Sequence, residues 1–600
     1  MDRNDILARI ADLEREIAAL PPGSVSAKKV RGKEYYYHRY TIDGKRSENY
    51  IDFDSVEELR LQIDRRKALE AEVKTLKRSI PSTKPKPKQN IKSANEFKSY
   101  VRIGAQLQNW AAPAQKFNRR ECYKSLHDYV FGDQQDKVFI LYGLRRTGKT
   151  TLIRQIVLDM TDEQMNQAAF IQVKTKDSLS AINSDLKQLE ERGYRYVFID
   201  EVTLMEDFIE GAALFSDIYA SSGMKIVLSG TDSLGFVFTE YEQLYDRCVM
   251  LHTTFISYRE FENVLGIKGI DEYIRFGGTM SMGGVHYNEK SSFATKKSAD
   301  EYVDSAIARN IQHSLQYYQD GGHFRHLYEL YCKGELTSAI NRVVEDLNHR
   351  FTKEVLTRTF KSNTLSNTAS NLLHDRTSPF DLMDNIDSSF VIDSIRKMLD
   401  ILEKDEQTVE VDDDHAYQIR EYLLLLDLIM EIDQLHFPNT NNAEKKVAIS
   451  QPGLRYAQTE ALIQSLLQDE KFNELSALER KRVLERVMST VKGQMMEDLV
   501  LLETKLAKPN MQVFQLQFAV GEFDMVVHDP ENLTCEIYEV KYSKEVVPQQ
   551  YRHLENEEKC AQTEHRFGTI TGRYVIYRGE AVKSGDIQYL NVEEYLKALV

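Results

Sequence analysis

An acidic and a basic side chain, Glu539 and Lys541, lie two positions apart in the apolar segment CEIYEVKYS, residues 535–543. Side chains at positions i and i+2 of a β-strand point to the same face. Asp524 lies in the preceding segment GEFDMVVHD, and the turn-like DPENLT between the two segments predicts neighbouring strands. Two converging carboxylates, Asp524 and Glu539, suit a cation such as Mg²⁺ or Mn²⁺, and Lys541 can orient water or stabilise phosphate charge. The pattern D–x14–ExK therefore predicts a cation site that could act on a phosphate, and a routine ion pair on a half-exposed strand is the alternative.

A glycine-rich segment at 143–150 matches the pattern GxxxxGK[ST]. It follows the apolar run VFILY and precedes the periodic run TTLIRQIVLDM, which is the strand–loop–helix context of a phosphate-binding loop. Glycines let backbone N–H groups face the phosphates, Lys149 reaches the β- and γ-phosphates, and the Thr150 hydroxyl ligates Mg²⁺. An ordinary glycine loop is the alternative. The predicted ATP-binding residues are Gly143, Leu144, Arg145, Arg146, Thr147, Gly148, Lys149, Thr150 and Thr151.

Two further predicted strands end in polar residues. RYVFIDEV ends in Asp200, predicted to hold Mg²⁺ through water, and Glu201, predicted to polarise the attacking water. MKIVLSGTDSL ends in Ser229 and Thr231, whose hydroxyls could sense the γ-phosphate. Arg247, in LYDR, is a candidate arginine finger acting in cis or on a neighbouring subunit, and a solvated surface arginine is the alternative.

Composition narrows the class of protein. The chain has 600 residues, 42% of them apolar and 28% charged, which predicts several globular domains. Five scattered cysteines, with no signal-peptide or membrane-spanning pattern, favour a cytoplasmic protein without disulfides, structural zinc or membrane contact. A net charge of −15 restricts nucleic-acid binding to local basic patches.

The patterns predict a multidomain α/β protein. Residues 1–80 form a helix–hairpin–helix module with a basic, tyrosine-rich hairpin, and 81–96 form a Pro- and Lys-rich linker. Alternating strands and helices fill 97–285, residues 286–484 are mostly helical, and 485–600 form a smaller α/β unit. The histidines, including His326, show no metal-ligating arrangement, and the acidic run at 409–415 predicts a solvated loop.

The segments GLRRTGKTT, VFIDEV, LSGTDS, LYDR, FISYREF and EYIRFGGTM occur in this order. Over about residues 100–285 the chain thereby resembles a prokaryotic family of AAA-type ATPases. The resemblance implies a P-loop ATPase domain, a helical, winged-helix-like segment and a C-terminal PD-(D/E)xK (restriction-endonuclease-like) domain. It also implies that Glu497, in VKGQMMEDLVLLE, is the opening glutamate of the nuclease site, and that His553 belongs to the helix after the ExK strand.

The sequence is compatible with two functions. The first is an ATP-hydrolysing protein coupled to a metal-dependent nuclease that cuts nucleic acid, DNA more than RNA, in a mobile-element or defence context. Its catalytic residues would be Lys149, Glu201, Arg247, Glu497, Asp524, Glu539 and Lys541, with Thr150, Asp200, Asp524 and Glu539 on the metals, in a chain that can form a homo-oligomer. The second is a nucleotide-dependent switch or nucleic-acid-binding protein with an inactive nuclease-like domain.

Overall fold

The structure is a computed structural model whose chain divides into two compact units, Met1–Ala94 and Asn95–Val600. It describes residues 13, 16–17, 20–30, 33–42, 45–52, 55–79, 97–205, 207–231, 235–236, 243–280, 307, 324–348, 350–352, 355, 411–439, 443–465, 473 and 476–599.

The first unit contains an antiparallel three-stranded meander within its described residues, one strand more than the predicted hairpin. Tyr37 and Tyr50 pack edge to face across β2 and β3, with ring centroids 5.9 Å apart. The basic side chains of the predicted hairpin, and most of the first predicted helix, lie outside the described residues. The elements are β1 (Ser24–Val30), β2 (Lys33–Ile42), β3 (Lys45–Ile51) and α1 (Val56–Ser79).

The N-terminal part of the second unit is built on a sheet of order β4-β6-β7-β8-β5-β9, six-stranded within the described residues. Only β4 runs antiparallel to its neighbour among these strands. Their near-continuous apolar sequences, such as VFILY, suit strands buried on both faces. The strands are β4 (Tyr100–Ile103), β5 (Val138–Tyr142), β6 (Ala168–Gln172), β7 (Tyr196–Asp200), β8 (Lys225–Gly230) and β9 (Cys248–His252). The helices are α2 (Gly104–Ala111), α3 (Tyr123–Phe131), α4 (Lys149–Asp159), α5 (Asp162–Asn166), α6 (Leu179–Glu191), α7 (Phe208–Gly211), α8 (Tyr258–Leu265) and α9 (Ile270–Phe276).

The C-terminal part carries a second sheet of order β11-β10-β12-β13-β14-β15-β17-β16, eight-stranded within the described residues. The strands β12, β13 and β14 are antiparallel, and β15 lies parallel to β14. The elements are α10 (Arg325–Lys333), α11 (Asp413–Leu425), β10 (Ile429–His436), β11 (Glu444–Ile449), α12 (Pro452–Ser465), α13 (Ala477–Ala507), β12 (Gln512–Gln517), β13 (Glu522–Asp529), β14 (Thr534–Lys541), α14 (Glu557–Phe567), β15 (Thr569–Tyr577), β16 (Val582–Ser584), β17 (Ile587–Asn591) and α15 (Val592–Ala598). Residues 336–348 are also helical.

The region predicted to be mostly helical, residues 286–484, also contains two strands. Its segment IMEIDQLH forms β10, which pairs in parallel with β12, and β11 extends the same sheet. The apolar residues of this segment lie at positions 429, 430, 432 and 435, so their spacing does not give the period-two signal of a strand. The acidic run also differs from its prediction, because Asp412 caps α11, which starts at Asp413 rather than continuing a loop.

One apolar core joins the two parts of the second unit. Ile256, Phe261 and Ile274 from α8, α9 and the loop before them pack in the same cluster as Val487 and Leu502 of α13. Among the described residues, the structure contains no helix with enough length and apolar character to cross a bilayer.

Candidate nucleotide and metal sites

The loop between β5 and α4 has the backbone geometry of a phosphate cradle. Gly143 and Gly148 have φ angles of 137° and 94°, and Arg146 has φ 66°. A Cβ on Gly143 would lie 2.7 Å from Thr253 Oγ1, so glycine is required there for space as well as for conformation. Leu144 is buried and Arg145 is exposed. The loop therefore presents a basic side chain outward while its backbone turns inward.

Lys149 is the buried cation of this loop, with 6% of its surface exposed. Its Nζ donates hydrogen bonds to the carbonyls of Gly143 at 2.7 Å and Leu144 at 2.8 Å. Burial lowers the pKa of Lys149 to about 8, although Glu201 and Asp200 oppose the shift. The ammonium is thus held at the loop by neutral carbonyls and can exchange them for phosphate oxygens.

The predicted magnesium residues meet at one edge of the sheet. Thr150 Oγ1 donates to Asp200 Oδ2 at 3.1 Å, and Ser229 donates to Asp200 Oδ1. β8 lies between β5 and β7, which brings these strand ends together. A hydroxyl beside a buried carboxylate is an oxygen-donor set that suits Mg²⁺. The residues therefore fit the cation that the phosphate loop implies.

Glu201 follows Asp200 in a left-handed conformation with φ 60°. Burial, followed by the neighbouring Asp200 charge, raises the pKa of Glu201. Thr231 Oγ1 lies 3.4 Å from Glu201 Oε2. Strained backbone and a raised carboxyl pKa at a strand end are typical of a general base.

A buried ion pair that the sequence analysis missed supports the loop. The guanidinium of Arg120 donates to the Glu260 carboxylate at 2.9 and 2.7 Å. It also donates to the carbonyls of Thr147 at 2.6 Å, Thr253 at 2.9 Å and Phe255 at 2.9 Å. The two residues are 140 positions apart, so no local pattern could have identified the pair.

A cavity of about 110 Å³ adjoins the loop on the side of α4. Gly148 and Thr151, from the phosphate loop and the start of α4, line one part of it. Phe117, Val264 and Met280 supply apolar surface on the other walls. A partly apolar cavity beside a phosphate loop is suited to a nucleotide base.

Arg247 is not brought to the loop. It precedes β9 at the opposite end of the sheet, where its carbonyl accepts from Val138 N at 3.0 Å. The five-residue strands separate it from the loop by about 15 Å. Its side chain is half exposed and pairs with Asp217 at 2.6 Å. The prediction that Arg247 acts in cis as an arginine finger is therefore wrong for this conformation, because the length of the strands separates its side chain from the phosphate loop.

Asp524, Glu539 and Lys541 meet on one face of β13 and β14. Asp524 Oδ2 accepts from Lys541 Nζ at 2.9 Å and from the Val540 N–H at 2.7 Å, and Lys541 also pairs with Glu539. Glu539 is 2% exposed, and its Oε1 has no hydrogen-bond partner among the described residues. Burial, followed by the Asp524 charge, raises the pKa of Glu539. Burial opposes charge on Lys541, but Asp524 and Glu539 raise its pKa.

A buried carboxylate oxygen without a partner costs free energy unless a proton or a cation binds it. A divalent cation held by Asp524 and Glu539 would satisfy that oxygen, and two carboxylates are a suitable hard-donor set. The residues therefore fit the Mg²⁺ or Mn²⁺ ion that the spacing predicts.

Glu497 of α13 lines the same cavity as Lys541, and its carboxylate is held by Gln515, which the sequence analysis missed. Gln515 Nε2 donates to Glu497 Oε1 at 3.1 Å and to Glu522 Oε2 at 3.0 Å. Lys446 of β11 lies 3.5 Å from Glu497. Burial raises the pKa of Glu497 to about 8, with Lys446 opposing and Asp524 adding to the shift. The alternation in QVFQLQ and the GEFD spacing of Glu522 and Asp524 were the available signals.

His553 lies beside the cluster, but the helix predicted around it starts later, at Glu557. Lys559 Nζ is 2.8 Å from His553 Nδ1. Burial, then Lys559, lowers the pKa of His553 to about 4. A Cβ on Gly521 would lie 2.5 Å from the His553 ring. His553 is therefore a neutral group packed against the start of β13.

A cavity of about 330 Å³ opens next to the cluster. Glu497, Val540 and Lys541 line it together with Gly493 and Tyr542. It is large enough to admit a phosphodiester and part of a sugar.

The sequence predicted no metal-ligating arrangement of histidines, and the described residues contain one group of side chains that this prediction did not consider. One ligand atom each from His326, Glu329 and His415 lies within 4.8 Å of the other two. His326 and His415 are on different helices, which hid their proximity in the sequence.

Comparisons with known proteins match parts of the chain. Residues 135–262 match a family model described as an AAA domain, AAA_14, and residues 3–61 match a domain of unknown function, DUF6788. A search of the curated proteins found no match. Among solved structures, the chain is similar to a closed-state cryo-electron-microscopy reconstruction of Hsp104 with ATPyS and FITC casein, at 12% identity and a TM-score of 0.20. That match covers 36% of this chain and 33% of the other, and so low a score carries no structural argument.

The AAA match includes the phosphate loop, Asp200, Glu201 and Ser229. The chain therefore contains an AAA-type P-loop domain, a class that binds and hydrolyses ATP, usually with Mg²⁺.

Proposed function

We propose that this protein couples its AAA-type ATPase domain to a metal-dependent nuclease in the C-terminal sheet. The observation that carries the proposal is the cluster of Asp524, Glu539 and Lys541, with a buried and unpartnered Glu539 Oε1 among the described residues. Two carboxylates and a lysine gathered beside a cavity are more than a routine surface pair, because Glu539 is 2% exposed.

The order of elements supports the same proposal. A helix (α13), three antiparallel strands (β12 to β14), a helix (α14) and a parallel strand (β15) follow the sequence expected of the nuclease-like domain. The carboxylates project from β13 and β14, and Glu497 projects from α13. Rigid elements on three sides are suited to hold a catalytic group in position.

Each residue then has a role. Asp524 and Glu539 would hold the cation, which when bound supplies Lewis-acid stabilisation of the phosphate. Lys541 stays protonated beside them and would neutralise charge that develops on the phosphate. Glu497, whose pKa burial raises, lines the cavity and could deliver a proton there.

The ATPase residues act at the other site. Lys149 would bind the β- and γ-phosphates, Thr150 and Asp200 would hold Mg²⁺, and Glu201 would orient the attacking water. A homo-oligomer is part of this proposal, because Arg247 is exposed and could reach the nucleotide of a neighbouring subunit.

Nucleic acid, with DNA favoured over RNA, is the proposed substrate, and a mobile-element or defence role is the proposed context. Both come from the resemblance of the ATPase motifs and the nuclease-like pattern. ATP binding would restrict cutting to the correct target.

A second function rests on a specific observation. Lys541 occupies the space between Asp524 and Glu539 and already neutralises part of their charge. Such a pair could be purely structural, which would leave a nucleotide-dependent switch that binds nucleic acid without cutting it.

Purified protein incubated with Mg²⁺ or Mn²⁺, ATP and labelled single- and double-stranded DNA and RNA separates the two functions. We expect metal-dependent cleavage, abolished by EDTA. A mobility shift with intact substrate at every metal concentration would favour the switch and overturn the nuclease.

A further inference from the structure

His415 is the starting point for a second metal site. Its side chain is 9% exposed, and its Nε2 has no hydrogen-bond partner in the described part of the chain. A buried imidazole nitrogen left without a partner costs free energy. The residue lies in the first turn of α11, and His326 lies in the first turn of α10.

The two histidines face each other across these helices. Their ring centroids are 5.5 Å apart at an interplanar angle of 79°. Glu329 lies one turn after His326, with its Oε2 3.8 Å from His326 Nδ1. One ligand atom from each of the three residues lies within 4.8 Å of the other two.

We propose that His326, Glu329 and His415 bind a zinc ion that joins α10 to α11. Two imidazoles and one carboxylate are a common ligand set for Zn²⁺, and the fourth position would be filled by water or by a carboxylate. Tetrahedral bonds of about 2.0–2.1 Å place ligand atoms roughly 3.4 Å apart. The side chains of His326 and Glu329 are 33% and 39% exposed, so they have room to rotate by the distance required.

Charges around the cluster are compatible with a cation. Asp412 Oδ1 lies 2.7 Å from His415 Nδ1 without hydrogen-bond alignment, and it accepts the His415 backbone N–H at 2.8 Å. The negative charge of Asp412 beside His415 favours a cation at the cluster. Arg325, which donates to Glu329 Oε1 at 3.0 Å, is the cation nearby and leaves Oε2 of Glu329 for the metal.

The alternative is an ordinary polar contact between helices. Both helices also contribute to one apolar cluster, through Leu327, Leu330, Ile419 and Tyr422, which would hold them together without metal. The buried nitrogen of His415 is the feature that this alternative leaves unexplained.

Metal titration of nucleotide-free protein tests the site. The background is Asp524→Asn, which removes a ligand of the proposed nuclease metal. Zn²⁺ is titrated by calorimetry, and Co²⁺ is titrated by its visible absorption, which is intense in tetrahedral nitrogen–oxygen sites and weak in octahedral oxygen sites. We expect one equivalent with the intense band, and a gain in Tm with Zn²⁺ that EDTA reverses.

His326→Gln and Glu329→Gln should each weaken Zn²⁺ binding by at least tenfold and remove the intense Co²⁺ band. These residues are partly exposed, so circular dichroism should show folded variants. The matched control is His436→Gln, because His436 also lies near a carboxylate, 3.3 Å from Glu444, but outside the three-residue cluster. Unchanged stoichiometry and affinity in His326→Gln, or equal losses in His436→Gln, would overturn the proposal.

Discussion

Two lysines, the buried Lys149 and the partly exposed Lys541, show how the neighbours of a side chain set its chemistry. Lys149 contacts neutral carbonyls, and burial lowers its pKa to about 8. Lys541 contacts two carboxylates, whose charges raise its pKa despite the partial desolvation of its side chain. The first lysine is therefore prepared to receive an anion, and the second has already neutralised part of the charge around it.

The lowered pKa of Lys149 predicts a pH-dependent affinity for ATP. The phosphates bind the ammonium form, so affinity should be constant below pH 8 and fall by up to about tenfold per unit above it. The stability of the folded protein changes in the opposite direction. The cost of burying the Lys149 ammonium is fully present below pH 8, and it is lost as pH rises toward 10.5, the pKa of the lysine in the unfolded chain.

The affinity of the protein for a fluorescent ATP analogue, measured between pH 7 and 9.5, tests this prediction. Lys187→Ala, an exposed lysine on α6, is the matched control and should keep the wild-type profile. Lys149→Ala should bind no ATP at any pH. A wild-type affinity that does not change with pH would contradict the assignment of Lys149.

At the scale of elements, one loop connects the phosphate loop to the C-terminal part. The Met280 N–H donates to the Arg146 carbonyl at 2.7 Å, and the Gly453 N–H donates to the Gly277 carbonyl at 3.0 Å. Between them, Gly278 has φ +107° and packs against Gln451. We therefore expect a displacement of the phosphate loop to shift the residues at the start of α12.

Gly278→Ala should lower the free energy of unfolding more than a glycine-to-alanine change that causes similar backbone strain but no steric clash. The new Cβ would lie 2.8 Å from Gln451 Cα, which is backbone and must be displaced. Gly269→Ala is the control, because its φ of +103° is close to that of Gly278 and a Cβ there meets only Glu593 Oε1, at an ordinary contact distance of 3.9 Å. We expect the control to cost about 1–2 kcal/mol of unfolding free energy and Gly278→Ala about 1–3 kcal/mol more.

Urea unfolding of both variants measures the difference. Equal losses of unfolding free energy would mean that the loop around Gly278 moves away from Gln451 at no cost, and would contradict a rigid connection between the two segments.

Sequence patterns predicted the features that depend on residues close together in the chain. The phosphate loop, the strand end at Asp200 and the strands that carry Asp524 and Glu539 all have local signals. Pairing between distant segments had no such signal. Gln434 of β10 bonds Gln515 of β12 from 81 positions away, so the extended C-terminal sheet could not be inferred.

At the scale of the whole molecule, the ATPase domain and the C-terminal sheet share one core within the second unit. Tyr258 N donates to Glu503 of α13 at 2.7 Å, and Lys597 of α15 pairs with Glu262 at 2.8 Å. Burial raises the pKa of Glu503 to about 8. Contacts of this kind suit a protein in which nucleotide state at one site alters the other.

The proposal that Arg247 acts on the nucleotide of a neighbouring subunit predicts cooperation between subunits. Arg247→Ala should leave ATP affinity unchanged, because the residue lies at the opposite end of the sheet, and should lower the hydrolysis rate. Glu201→Gln should bind ATP and lower hydrolysis by about 10²-fold or more. Mixing the two variants should partly restore activity, and specific activity should rise with protein concentration. Full activity of Arg247→Ala alone would exclude the finger.

Metal-dependent cleavage by Asp524→Asn and Lys541→Ala, compared with wild type in preparations that hydrolyse ATP, tests the coupled nuclease most directly. We expect both variants to retain ATP hydrolysis and to lose cleavage by at least about 10²-fold, because the cation and the charge-neutralising lysine act only at the C-terminal site. Cleavage by either variant at the wild-type rate would contradict the proposed nuclease.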